Sequence, residues 1–237
     1  MRKLSEYIVL ICIVLGISTF SAHTKAAENP VFGYTHLMQS PLTLPAGRLV
    51  YGVDTAMGLT DFLQVGTNVL RDFFRIYNAN AKLSFIDSKT FAFALTGGFE
   101  TYNLKDLSDS NPDTRFTSFL PGLVMAFALA EPVALFLGGN WNISNPQPVT
   151  TGIVKSGYLR GANVSADLSW AYNPPSKKLK GVGNLVSMGM SYDITYKLFG
   201  VGLSHHWRGF HLGAHYYVNA DKNKWLPIIA GGGVVDF

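Results

Sequence analysis

The stretch from Phe119 to Gly139 (FLPGLVMAFALAEPVALFLGG) has the length of roughly 20 residues with which a helix crosses a bilayer, yet its pattern argues against a helix. Pro132 follows Glu131 in its middle, where a helix would lose a hydrogen bond and place a charge at mid-membrane depth. Before this pair, small residues alternate with the large residues Leu123, Met125, Phe127 and Leu129. A period of two is typical of a strand. The stretch therefore predicts two apolar strands joined by a tight turn.

The same alternation recurs along the chain, for example over 77–85 and 162–170. The second face carries mainly Gly, Ala, Ser and Asn, whereas a soluble sandwich shows Lys, Glu and Thr to water. Charged residues make up only 14% of the sequence and hydrophobic residues 48%. This combination favours an all-β fold, a single antiparallel transmembrane β-barrel with a confined, wet lumen.

The strand count follows from the same pattern. Eleven strands can be placed from Arg48 to the end of the chain. Bacterial single-chain barrels have an even number of strands, so we expect a twelfth at Val31–Gln39, with ten strands as the alternative. Short turns are predicted at 59–61, 86–89, 130–132, 195–197 and 208–209. Longer loops are predicted at 103–115, 144–157 and 219–224, and a lysine-containing loop at 173–183.

The N-terminus resembles a cleaved secretory signal, with Arg2 and Lys3 before an apolar stretch from Ile8 to Phe20. We therefore expect a signal peptide at 1–26 and a barrel at 27–237; an uncleaved anchor helix is the alternative. The only cysteine, Cys12, lies in the signal, so the mature chain would have no disulfide. The formal charge of +4 falls to +2 without the signal, and no basic cluster predicts a nucleic-acid partner.

Polar residues on the second face are the candidate lumen lining. Both signs of charge are present, so pairing within a filled lumen and lining of an open pore are both compatible with the pattern. Small residues such as Gly98, Gly122, Gly189 and Gly202 would leave space between them. The predicted lumen residues are Arg48, Asp54, Asn78, Asn80, Lys82, Glu100, Asn140, Asp167, Asp193, His206, His211 and His215.

The histidines raise the question of chemistry. A two-residue turn at 208–209 would place His206 opposite His211, with His215 on the same face. No spacing signature of a metal site accompanies them, so neither a metal nor a cofactor is predicted. Ser204 and His206 share a face, which leaves an outer-membrane lipid hydrolase open, although a catalytic site is not predicted.

Aromatic residues fall where strands would meet the two membrane interfaces, since amphipathic rings prefer that depth. The predicted interface aromatics are Trp141, Trp170, Trp207, Phe210, Trp225 and Phe237.

The chain ends in GGGVVDF, with Phe237 last, and this resembles the C-terminal strand of bacterial outer-membrane β-barrel proteins. The segment Leu42–Thr67 (LTLPAGRLVYG…GLTDFLQVGT) resembles the opening hairpin of small, poorly characterised members of that class. The resemblance implies outer-membrane localisation, contact with outer-membrane lipid, and recognition of the strand ending in Phe237 by the barrel-assembly machinery. It implies neither an activity nor an oligomeric state.

Together these features predict an outer-membrane β-barrel that acts as a narrow passive pore for small solutes. The alternative is a structural barrel with a filled lumen that binds envelope components. A lipid hydrolase is the third possibility.

Overall fold

The computed structural model describes residues 32, 36, 40–52, 54–107, 113–148, 159–173, 184–194, 197–207, 210–218 and 224–236. This part of the chain is almost entirely antiparallel sheet, which confirms the all-β prediction. Two short helices, α1 (Val69–Phe73) and α2 (Leu104–Leu107), follow β3 and β5. The strands are β1 (Arg48–Gly52), β2 (Asp54–Thr60), β3 (Leu63–Asn68), β4 (Tyr77–Asp87), β5 (Phe91–Asn103), β6 (Thr114–Phe119), β7 (Gly122–Ala130), β8 (Val133–Pro148), β9 (Leu159–Asn173), β10 (Asn184–Asp193), β11 (Leu198–Trp207), β12 (Phe210–Val218) and β13 (Lys224–Asp236).

The strands occupy twelve positions in the sheet, as predicted. Successive positions pair antiparallel in chain order, and β1 also pairs with β13, from Arg48 opposite Asp236 to Gly52 opposite Gly232. The segments β6 and β7 share one position, because β5 and β8 each pair with both of them. Leu120 and Pro121 separate the two segments, and Pro121 has no N–H to donate to the ladder.

The prediction of a strand at Val31–Gln39 is wrong. Of that stretch the structure describes Phe32 and His36, and neither lies in a strand. The twelfth position comes instead from 48–60, a stretch in which no turn was predicted before 59–61. This stretch reverses into the hairpin β1–β2, with Leu49 opposite Met57.

Within the stretch from Phe119 to Gly139, β7 and the first part of β8 are joined by a turn at Glu131 and Pro132, as predicted, whereas Phe119 ends β6. The predicted turns at 59–61, 86–89 and 195–197 also separate strands. One end of the sheet carries the turns at 59–61 and 86–89 and the turn after β7. We call it the turn end. The opposite end, which carries α1, α2 and the turn after β10, is the loop end. The predicted loop at 144–157 begins later than expected, because β8 continues to Pro148.

The two faces of the sheet differ as the alternation predicts. One face, here called the buried face, carries small side chains such as Ala94 and Ala126 and paired serines such as Ser118 and Ser144, whose Oγ atoms are 2.7 Å apart. The other, the exposed face, carries large apolar side chains such as Met188 and Leu203. No helix within the described ranges is long and apolar enough to cross a membrane. The predicted signal peptide at 1–26 lies outside those ranges.

Candidate functional site

The N-terminal segment, defined as the described residues 32, 36 and 40–47, lies against the buried face of the sheet. Phe32 and His36 are both buried. Contacts with Phe136 on β8 and with Asp167 and His215 on β9 and β12 hold the segment inside. The interior near these strands is therefore occupied by the chain itself.

His36 is the innermost anchor of this segment. Its backbone N–H donates to Asp167 Oδ2 over 2.8 Å, and its Nε2 lies 3.0 Å from Nδ1 of His215. Asp167 and His215 are 1% and 0% exposed, so both contacts are sealed from solvent. Hydrogen bonds to a buried carboxylate are among the stronger ones in proteins. The first contact thus fixes the backbone of the segment and the second fixes the ring.

Three glycines clear the space for this arrangement. A Cβ on Gly189 of β10 would lie 2.6 Å from His36 Cδ2, and one on Gly202 of β11 would overlap His36 Nε2. A Cβ on Gly200 would overlap Nε2 of His215 and lie 3.0 Å from Ser191 Oγ. Real side-chain carbons do not approach this closely, so these positions accept only glycine while the contacts stand.

Across Gly200, side chains from β10 and β12 meet. Ser191 Oγ lies 2.9 Å from His215 Nε2, although β11 separates their strands. Ser191, His215 and His36 therefore form a continuous hydrogen-bonded array, which we call the serine–histidine array. A hydroxyl bonded to an imidazole that is itself held by a second group is the arrangement used to activate serine nucleophiles.

Nearer the turn end lies an apolar cluster. The rings of Phe32 and Phe136 meet edge to face with centroids 6.3 Å apart, and Leu185 is buried in the same cluster. The Ser40 hydroxyl donates to the Phe32 carbonyl over 2.7 Å, which links two parts of the N-terminal segment. This cluster packs Phe32 of the N-terminal segment against the sheet.

Polar contacts then hold the segment where it leaves the interior. Lys82 Nζ, on β4, donates to the Ser40 carbonyl over 2.9 Å, and the Leu44 N–H donates to Gln64 Oε1 over 2.9 Å. At the turn after β2, the Ala46 N–H donates to Asp61 Oδ1 over 3.0 Å. The segment thus has anchors at several heights, from the middle of the strands to the turn end.

Towards the loop end, the interior holds a cavity of about 590 Å³. Its polar lining includes the carboxamides of Asn80, Asn140 and Asn163. Ser165 and Tyr217 line it as well, and both lie beside the serine–histidine array. Its volume lies within the range of small-molecule pockets, roughly 300–1,000 Å³.

The predicted lumen residues divide into three groups in the structure. Those lining the cavity are Asp54, Asn78, Asn80, Glu100 and Asn140. Those buried in the interior are Lys82, Asp167, His206 and His215, whereas Arg48 and Asp193 are partly buried near strand ends. His206 does lie opposite His211, as predicted, but the His211 side chain lies outside the described residues.

The predicted interface aromatics are only partly described. Trp141, Trp170 and Trp207 are 62%, 52% and 47% exposed, in keeping with positions on the exposed face. The side chains of Phe210 and Trp225, and the whole of Phe237, lie outside the described residues.

Sequence reasoning missed two members of the serine–histidine array. The prediction put His36 in a strand, and it named Ser204 and not Ser191 as the serine beside a histidine. Ser204 is buried on the same face of β11 as His206. Within the described ranges, no group of three or more His, Cys, Asp or Glu is arranged to hold a metal ion.

No protein-family model matches the sequence, and no curated protein matches it either.

Proposed function

We propose that the protein is an outer-membrane β-barrel whose lumen is filled by its own N-terminal segment, and that it serves as a structural, envelope-binding barrel. The observation that carries this proposal is the buried position of His36. Its two buried contacts join an N-terminal residue to β9 and β12, near the middle of both strands. A segment held there occupies the path that a solute would take.

Closure of the barrel is supported by the pairing of the first strand with the last, which leaves each sheet position with a partner on either side. Passage through a membrane is supported by the exposed face. Met188, Met190, Leu203 and Leu212 are all more than half exposed, and a continuous apolar surface of this kind needs a cover. Lipid covers the corresponding band of membrane barrels.

The placement in the outer membrane rests on the C-terminal resemblance and on the secretory signal. It includes recognition of the strand ending in Phe237 by the barrel-assembly machinery and cleavage after Ala26. Both parts are testable on cells. N-terminal sequencing of the mature chain should begin at Ala27, and replacing Phe237 by Ala should reduce the amount of folded protein in outer-membrane fractions.

Single-channel recording of the refolded chain in a planar bilayer tests the filled lumen. We expect no steady conductance steps from the wild type, because the Phe32–Phe136 cluster and the serine–histidine array obstruct the interior. The double variant Phe32→Ala, His36→Ala removes both obstructions and should conduct. Steady steps from the wild type, with no increase in the double variant, would reject the filled lumen.

The narrow passive pore is the second candidate, and the cavity of about 590 Å³ favours it. Glu100 lines this cavity and bonds Arg71 Nη1 over 2.7 Å. In an open pore, Glu100→Ala would change the size or ion preference of the steps, whereas in the filled barrel it would leave the bilayer silent.

A further inference from the structure

We infer that the serine–histidine array is an acyl-transfer site, in which Ser191 is the nucleophile, His215 the general base and His36 a positioning residue. The substrate class is a carboxylic ester small enough to enter the cavity of about 590 Å³. The inference rests on the contacts of these three side chains and holds whether or not the sheet crosses a membrane. It therefore goes beyond the proposed function.

The geometry meets the requirements for nucleophile, base and orienting group. Ser191 Oγ is 2.9 Å from His215 Nε2, within the reach needed for proton transfer. His215 Nδ1 is 3.0 Å from His36 Nε2. One consistent set of protons runs through the array: the hydroxyl donates to His215 Nε2, and the His215 Nδ1–H donates to His36 Nε2. This set leaves the base nitrogen free to take the serine proton.

The construction of the site supports a role beyond packing. Ser191 and His215 belong to strands that are not neighbours, and they meet only because Gly200 between them has no side chain. On the same face, Ser118 bonds Ser144 and Ser169 bonds Ser187, each pair across adjacent strands and over 2.7 Å. The Ser191 hydroxyl is instead committed to an imidazole.

The site adjoins the cavity. Ser191 is paired with Ser165 on β9 and with Gly200 on β11. Gly200 is in turn paired with Tyr217 on β12. Ser165 and Tyr217 both line the cavity, and the Tyr217 ring contacts His215 with centroids 4.7 Å apart. Asn163, two residues before Ser165, also lines the cavity.

The reaction balances with water as the second reactant. Ser191 Oγ bonds to the ester carbonyl carbon while its proton moves to His215 Nε2. The bond from that carbon to the alcohol oxygen then breaks, and the alcohol leaves with the proton. Water next attacks the acyl-serine and gives a proton to His215, which returns it to Ser191 as the carboxylic acid departs.

A fluorophosphonate probe, which forms a covalent bond with activated serines, tests the inference on the refolded full chain in detergent. We expect one label, located on Ser191 by mass spectrometry and lost in Ser191→Ala. His215→Asn keeps a hydrogen-bonding side chain of similar reach but cannot act as a base, and should lower the labelling rate about 100-fold or more. Ser204→Ala changes another buried serine of the same face and should label like the wild type.

The role of His36 needs a readout that packing alone would not move. His36→Ala should slow labelling about tenfold, and His36→Asn, which can still accept from His215 Nδ1, should recover most of the rate. Different mobilities of boiled and unboiled samples on a detergent gel serve as the folding control for each variant. A folded wild type that takes no label, or a label that survives Ser191→Ala or is unaffected by His215→Asn, would overturn the inference.

Discussion

Gly189→Ala should release the N-terminal segment from the interior while the sheet remains folded. The new Cβ would overlap Asp167 Oδ1 and lie 2.6 Å from His36 Cδ2 and 3.0 Å from His36 Cβ. All three atoms belong to side chains, so movement of the His36 and Asp167 side chains relieves the contacts without displacing a strand.

The size of the effect follows from the two bonds that His36 would lose. A hydrogen bond to a charged group contributes about 1.5–3 kcal/mol and a neutral one about 0.5–1.5 kcal/mol. Loss of the bonds to Asp167 and His215 therefore weakens the attachment of the segment by about 2–4.5 kcal/mol. Since about 1.4 kcal/mol corresponds to a factor of ten, the released population should rise about 30- to 1,600-fold.

Chymotrypsin cleavage after Phe32 measures that population, because this side chain is fully buried in the seated segment. When opening is fast relative to cleavage, the cleavage rate follows the open population. Gly97→Ala is the matched control, since a Cβ at Gly97 meets no atom within 4 Å and should leave the rate nearly unchanged. An unchanged rate in a folded Gly189→Ala variant would mean that the segment is not seated against β10.

Three further outcomes follow from single contacts. Lys82→Ala removes the donor to the Ser40 carbonyl and should raise cleavage after Phe32 about tenfold, whereas Lys89→Ala, at an exposed turn, should not. Phe136→Ala should lower the free energy of unfolding in urea by about 3–5 kcal/mol, because it empties the apolar cluster; an effect below about 1 kcal/mol would contradict that packing. Gly200→Ala should abolish fluorophosphonate labelling of a folded protein, since its Cβ would overlap His215 Nε2. Retained labelling would place the reactive serine elsewhere.

The sheet was largely predictable because a period of two fixes which residues share a face. The turns at 130–132 and 195–197 were both predicted, and in the structure each separates two paired antiparallel strands. The hairpin at 48–60 could not be recognised from the alternation, for a specific reason. Leu49 pairs with Met57, two odd-numbered residues, so the alternation stays in phase through the reversal and the two strands resemble one.

Part of the serine–histidine array was within reach of the sequence. A two-residue turn at 208–209 places His215 opposite Gly202, and the turn near Thr195 places Ser191 opposite Gly200. These two registers bring Ser191 and His215 to either side of β11. The sequence signal for their contact was Gly200 of β11, because a residue without a side chain allows side chains from the two flanking strands to meet.

His36 could not have been found in this way. Its contacts join residues 131 and 179 positions apart in the chain, and no turn or alternation relates an irregular segment to the strands that it meets. Gly189 and Gly202 did predict room in the interior, and in the structure His36 occupies the room beside them. The sequence could not identify the occupant, because the gap left by two glycines accepts water, a ligand or a side chain equally well. The selection comes from Asp167, which accepts from a backbone N–H, and from His215, whose ring bonds a second imidazole. His36 provides both of these groups.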